Sequence, residues 1–147
     1  MSNKKAFTLV ELLVVIAIIG LIATLSVIVL GNARSKSRDA KRVSDIKQIQ
    51  TALELFFNDE GRYPTAEEWN TGSLYATGTF GTTTYMQSIP NDPNTKTAYV
   101  YSSSDDGSKY SLPFSLENSA GSYDNPGVYV ASNSSVKYQG ISDGLVA

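Results

Sequence analysis

The chain opens with an uninterrupted apolar stretch. Leu9 to Leu30 contains a single charged residue, Glu11, and no proline. As a helix this stretch would be roughly 33 Å long, which is enough to cross the hydrocarbon core of a bilayer. It is apolar on every side, so it is not patterned to cover one face of a soluble core. A carboxylate inside such a segment is costly and indicates a functional role.

From residue 32 to residue 60 the pattern becomes that of an amphipathic helix. Apolar residues recur at steps of three and four, with Leu55 and Phe57 beside them, at Ala40, Val43, Ile46, Ile49, Leu53 and Phe56. Gly61, followed by Pro64, indicates the end of the helix. We therefore predict one helix of about 50 residues, with a membrane half over 7–31 and an amphipathic half over 32–60.

The remaining residues, 61–147, predict a small globular head. Residues 61–97 are rich in Gly, Thr and Asn and are interpreted as a long loop, with a short helix near Ala66–Trp69. Residues 98–140 carry strand patterns, which lie around Tyr99–Ser102, Tyr110–Leu116, Gly127–Ala131 and Val136–Gln139. Pro113 has no N–H, so its strand is predicted to be an edge strand or to be bulged there.

A small antiparallel sheet of three to four strands can bury one face against the amphipathic half of the helix. The sequence therefore predicts an α+β fold in which a long N-terminal helix packs on that sheet.

Composition narrows the classes of function. The chain has no Cys and no His, which removes disulfides, thiol chemistry and the commonest general base. An enzyme would have to use carboxylate, Lys, Ser or Tyr chemistry. No phosphate-binding glycine loop, acid pair or nucleophile–base arrangement stands out, so we predict that the protein is not an enzyme and has no catalytic residues.

Charge is distributed unevenly. The net charge is −2, but residues 1–50 carry +5 and residues 51–147 carry −7. Basic residues lie on both sides of the apolar stretch, at Lys4 and Lys5 before it and at Arg34, Lys36, Arg38, Lys41 and Arg42 after it. By simple count the positive-inside rule would place the C-terminal side in the cytoplasm, and the residues alone leave the orientation open. The second basic group is either a solvated helix face or a contact for lipid headgroups or acidic neighbours.

Residues Ala6 to Gly20 read AFTLVELLVVIAIIG. This pattern of a basic leader, a small residue, Phe-Thr-Leu-x-Glu and an apolar helix resembles the N-terminus of type IV prepilins and of type II secretion pseudopilins. The resemblance implies that a prepilin peptidase cuts between Ala6 and Phe7, which makes residues 1–6 a leader, and that the new α-amine of Phe7 is methylated. Ala6 departs from the Gly that these families more often have before the cut.

The resemblance also implies a role for Glu11 in assembly. In the family this acid is associated with the N-terminal amine of the preceding subunit, and such a pair would set the axial register of the polymer. Many members carry a helix-breaking Pro in the apolar segment. This chain has none over residues 9–60, and Gly20 is the candidate for a stretch that unwinds in the filament.

The function implied is that of a structural subunit of a type IV pilus-like extracellular filament. Adhesion, motility, secretion and DNA uptake all use this subunit design, and the sequence leaves the choice among them open. Its partners would be copies of itself, the prepilin peptidase and the assembly machinery in the membrane. The precursor would span the cytoplasmic membrane once, with its leader inside and its head exported. The alternatives are a pseudopilin or minor pilin of type II secretion or DNA uptake and, in another class, a membrane-anchored extracytoplasmic binding domain that never polymerises.

We expect no cofactor. Some pseudopilins bind calcium in their C-terminal loops, and the candidates here are Asp105-Asp106-Gly107 and Asp124-Asn125. Neither has the spacing of oxygen ligands that calcium requires, so the interpretation as turns is favoured.

Overall fold

The computed structural model describes residues 7–78 and 81–140. This part of the chain forms a long helix, α1 (Leu9–Glu60), a short helix, α2 (Ala66–Trp69), and strands β1 (Leu74–Gly78), β2 (Gly81–Met86), β3 (Ser102–Ser103), β4 (Tyr110–Leu116), β5 (Gly127–Ala131) and β6 (Val136–Gly140). The predicted α+β architecture with a long N-terminal helix is confirmed.

Helix α1 is continuous over 52 residues. It ends where the sequence predicts, because Gly61 adopts φ 70° and donates its N–H to the carbonyl of Phe57 at 2.8 Å. A residue with positive φ just past a helix is the common way to close its last turn, and glycine takes that conformation without steric cost. The chain divides into two compact units, Met1–Ser35 and Lys36–Ala147.

In the second unit, one face of α1 supplies the centre of the core. Ile46, Ile49, Leu53 and Phe56 are fully buried, as the three- and four-residue spacing predicts. The prediction is wrong at Ala40, which is exposed. Near that position the buried residues of α1 are instead Asp39 and Arg42, which pair with each other. Both also bind head loops, Arg42 through Asp92 and Glu117 and Asp39 through backbone N–H groups.

The larger sheet has the antiparallel order β3-β4-β5-β6, which confirms the prediction of three to four strands. Alternate residues of β4 turn into the core, and these are Tyr110, Leu112, Phe114 and Leu116. Pro113 is paired with Val130 of β5, whereas β3 pairs only with Tyr110 and Ser111 of β4. Pro113 therefore has a neighbouring strand on one side only, which is the edge position that proline tolerates.

Segment 61–97 is more ordered than predicted. The short helix α2 is confirmed, but the loop prediction is wrong over Leu74–Gly78 and Gly81–Met86, where β1 and β2 form an antiparallel hairpin. Leu74 and Ala76 of β1 are buried, while β2 is exposed from Gly81 to Thr84. Threonines on both faces of β2 hide the alternation that would have revealed the strand.

The segment around Tyr99 also differs from its prediction as a strand. Only Ser102–Ser103 pairs with β4 as a named strand. Tyr99 and Tyr101 are nevertheless buried, and each is fixed by a hydrogen bond rather than by a ladder. The indole N–H of Trp69 donates to the carbonyl of Tyr99 at 3.3 Å, and the hydroxyl of Tyr101 donates to the carbonyl of Pro64 at 2.8 Å.

Candidate functional site

The N-terminal residues of α1 form a reciprocal cap. The backbone N–H and the hydroxyl of Thr8 donate to Oε2 of Glu11 at 2.9 and 2.8 Å, and the N–H of Glu11 donates to Oγ1 of Thr8 at 3.2 Å. This is a capping box, in which two otherwise unpaired N–H groups at a helix start are satisfied. The sequence predicted only a role between subunits for Glu11. The cap within the helix was missed, although Thr-x-x-Glu before an apolar run is its local signal.

The cap fixes where the Glu11 carboxylate lies. It is held at the N-terminal end of α1, where the helix dipole favours negative charge. Phe7, immediately before the capping residue, has a side chain that is 74% exposed. Ala6, the other residue of the predicted cleavage site, lies outside the described residues. A cut before Phe7 would thus create an ammonium group one residue from the Thr8 N–H that binds Glu11.

The apolar half of α1 presents its side chains outward in every direction. None of the most apolar 18-residue window of this helix is buried, and the helix is long and apolar enough to cross a membrane. The exposed residues include Leu9, Val10, Leu12, Leu13, Ile16, Ile19, Leu21, Ile22, Leu25 and Leu30. A surface of this extent needs lipid or other apolar helices to cover it.

Gly20 lies inside the continuous helix, and a Cβ built on it would meet nothing within 4 Å. Downstream, the hydroxyls of Thr24 and Ser26 donate to the carbonyls of Leu21 and Ile22, at 2.8 Å each. The polar groups of these two side chains are therefore satisfied within the helix, as an apolar environment requires. Unwinding at Gly20 in a filament stays a prediction.

In the second unit, a network of charges ties α1 to two head loops. The guanidinium of Arg42 is buried and donates through Nε to Asp92 at 2.6 Å and through Nη1 to Asp39 and to Glu117, at 2.8 Å each. Arg38 forms a second ion pair with Glu117. Lys41 pairs with Asp45 at 3.0 Å, although its side chain is largely exposed. Three of the five residues of the basic segment thus bind acids of their own chain, and the segment is not simply a solvated basic face.

The network shifts the pKa values of its acids. Hydrogen bonds from Arg38, opposed by burial and reinforced by Arg42, lower the pKa of Glu117 to about 2. Burial raises the pKa of Asp92, but hydrogen bonds from Arg42 and from the N–H groups of Thr95 and Asn94 outweigh it and bring that pKa to about 2. Both acids therefore stay ionised at neutral pH.

Both candidate calcium loops contain internal hydrogen bonds. The carboxylate of Asp106 accepts hydrogen bonds from the hydroxyls of Ser104 and Ser108 and from the N–H of Ser108, at 2.6 to 3.0 Å. Next to Asp124, the carbonyl of Asn125 accepts a hydrogen bond from Tyr129 at 2.8 Å. These hydrogen bonds lie within each loop, and the interpretation of both loops as turns rather than calcium sites stays a prediction.

Comparison with known proteins identifies the class and then the family. Residues 1–27 match the model of the prokaryotic N-terminal methylation motif, which places the chain among proteins with a pilin-like N-terminus. Residues 29–128 match the model of the type II secretion system (T2SS) protein G. The chain belongs to the type II secretion system protein G family, and the resemblance to pilins and pseudopilins is confirmed.

Curated relatives carry two kinds of name. Type II secretion system core protein G of Klebsiella michiganensis is 41% identical over 67 residues, which are 46% of this chain and 47% of the relative. The protein of the same name from Dickeya chrysanthemi is 34% identical over 98 residues, 62% of this chain and 63% of the relative. Type IV major pilin protein PilA of Myxococcus xanthus is 39% identical over 63 residues, 42% of this chain and 28% of the relative.

The matches to the first relatives span about half of their length, 46% in Aeromonas hydrophila and 49% in Klebsiella pneumoniae. No solved structure matches the chain.

Proposed function

We propose that the protein is a pseudopilin, a structural subunit that polymerises through its N-terminal helix into a filament of a type II secretion system. It is made as a membrane-anchored precursor, cut between Ala6 and Phe7 by a prepilin peptidase and methylated at Phe7. Its partners are copies of itself, the peptidase and the secretion machinery in the membrane. The family membership supports this choice over the surface pilus that the N-terminal motif alone favours.

The observation that carries the proposal is the complete exposure of the apolar half of α1. A bilayer covers this surface before assembly. The apolar half of α1 can leave the bilayer without a large free-energy cost only if the same surface is covered again. A bundle of identical helices from other subunits provides an equally apolar environment. A helix with a single apolar stripe could not move from the bilayer into such a bundle, because its polar face would be desolvated.

Glu11 gives the bundle its register. A carboxylate carried into an apolar bundle is costly unless a cation or hydrogen-bond donors accompany it. Thr8 of the same chain supplies donors, and the methylated ammonium of Phe7 in the preceding subunit supplies the cation. Because the acid lies at the helix end, pairing it with a neighbour's N-terminus fixes the axial offset between subunits.

Two other functions are candidates, a subunit of a surface pilus and a membrane-anchored domain. The similarity to the Myxococcus xanthus major pilin favours a subunit of a surface pilus as the second candidate. A membrane-anchored domain that never polymerises would need the same apolar helix, but it would use Glu11 only in the cap with Thr8.

The test compares Glu11→Ala with Glu67→Gln, a substitution of an exposed head acid. Both variants should insert in the membrane and accumulate to wild-type levels, because neither changes the apolar surface. Filaments, collected by shearing or by overexpression of the secretion system, should be lost for Glu11→Ala and retained for Glu67→Gln. A normal filament yield from Glu11→Ala would contradict the role of Glu11 in setting the register. An absence of filaments from the wild type would favour the membrane-anchored domain that never polymerises.

A further inference from the structure

The head contains a buried guanidinium, that of Arg42, which pairs with three acids. Arg42 lies on α1, and its side chain is 4% exposed. Asp39 lies one turn earlier on the same helix, Asp92 lies in the loop before β3, and Glu117 directly follows β4. The guanidinium therefore joins three segments that are far apart in sequence.

Two of these acids, Asp39 and Asp92, also bind backbone N–H groups of the loops. Asp39, which is fully buried, accepts from the N–H of Glu117 at 3.0 Å and from the N–H of Asn118 at 2.7 Å. Asp92 accepts from the N–H groups of Asn94 and Thr95 at 2.8 and 3.0 Å. The loops are thus held by carboxylates, and the carboxylates are held together by Arg42.

This arrangement does not suit calcium, the ion that the resemblance to pseudopilins suggests for head loops. Calcium takes six to eight oxygen ligands around one point. Here the carboxylate oxygens accept from guanidinium and backbone N–H groups, and over residues 7–78 and 81–140 no group of three or more acids is placed to hold a metal. The positive charge that the acids require is already supplied by a side chain.

We infer that Arg42 takes the structural place of a divalent cation, so that the head of this chain folds and stays folded without calcium. One guanidinium offers five N–H donors in a planar fork, which is enough to contact several carboxylates at once. Removing it leaves the carboxylates of Asp39, Asp92 and Glu117 without the cation that they share. This property of the head does not depend on filament assembly.

The experiment measures thermal unfolding of the full chain in detergent by near-ultraviolet circular dichroism, with millimolar EDTA or millimolar CaCl2 at matched ionic strength. The wild-type Tm should be the same in both. Arg42→Ala should unfold at a temperature lower by on the order of 10 °C in EDTA, because a buried ion pair has lost one partner.

Arg62→Ala is the matched control. Arg62 also makes two 2.8 Å hydrogen bonds to an acid, Glu68, but its side chain is 39% exposed and it serves one carboxylate. Its variant should lose little stability and should not respond to CaCl2.

A rise of several degrees in the wild-type Tm with CaCl2 would overturn the inference, since a bound cation stabilises the folded state by mass action. So would an Arg42→Ala variant that is no less stable than Arg62→Ala. If Arg42→Ala does not fold, the wild-type comparison still decides the matter, and Arg42→Lys, which retains the charge, should fold and remain insensitive to CaCl2.

Discussion

Leu53→Ala should destabilise the head strongly, whereas Leu55→Ala on the same helix should not. Leu53 is fully buried and Leu55 is 50% exposed. The first substitution removes three buried carbon atoms, worth about 0.8 kcal/mol each, or roughly 2.4 kcal/mol in total. The cavity left behind raises the cost to about 3–4 kcal/mol. The second substitution should cost less than about 1 kcal/mol, since surface changes rarely exceed that.

The assay is thermal unfolding of each full-length variant in detergent. At about 4 °C per kcal/mol for a unit of this size, Leu53→Ala should lower Tm by roughly 12–16 °C and Leu55→Ala by less than about 4 °C. Both variants should still insert in the membrane, because the apolar half of α1 is unchanged. Equal effects of the two substitutions would refute the assignment of the buried face of α1.

Three further predictions follow from local geometry. Thr8→Ala should weaken the start of α1 by about 1 kcal/mol, seen as faster amide exchange over the first helical turn, while Thr8→Ser should preserve it. The folded-state pKa of Glu117 is depressed to about 2 from 4.5, so the stability it contributes is complete above pH 4.5 and is lost as pH falls toward 2. Acid titration of Glu117→Gln should show a shallower decline than the wild type. Gly107→Ala should lower Tm more than Gly121→Ala: φ is 65° and 62°, respectively, but only at Gly107 would the Cβ lie 2.8 Å from the Cβ of Arg62.

Periodicity made the main elements of the fold predictable. The core face of α1 and the inward residues of β4 follow spacings of 3.6 and 2, which survive folding because each element has one covered face. The end of α1 at Gly61 could be predicted because glycine tolerates the positive φ that is required there. Within its first turn, the cap between Thr8 and Glu11 could also have been read from their spacing.

Features that depend on distant contacts could not be predicted from the sequence. Arg42 reaches acids 50 and 75 positions away, and nothing in the local pattern pairs them. For the same reason Ala40 was assigned to the core, although the charges beside it occupy the buried face. The hairpin of β1 and β2 was missed because its threonines are polar on both faces, so only packing against the rest of the head distinguishes it from a loop.

The most direct test of the central proposal is the intact mass and N-terminal sequence of the protein recovered from purified filaments. We predict a chain that begins at Phe7 and carries the added mass of one methyl group. That result would establish cleavage, methylation and polymerisation together. A chain that begins at Met1, or a processed chain that never leaves the membrane fraction when the secretion system is overexpressed, would contradict the proposal that this protein builds a filament.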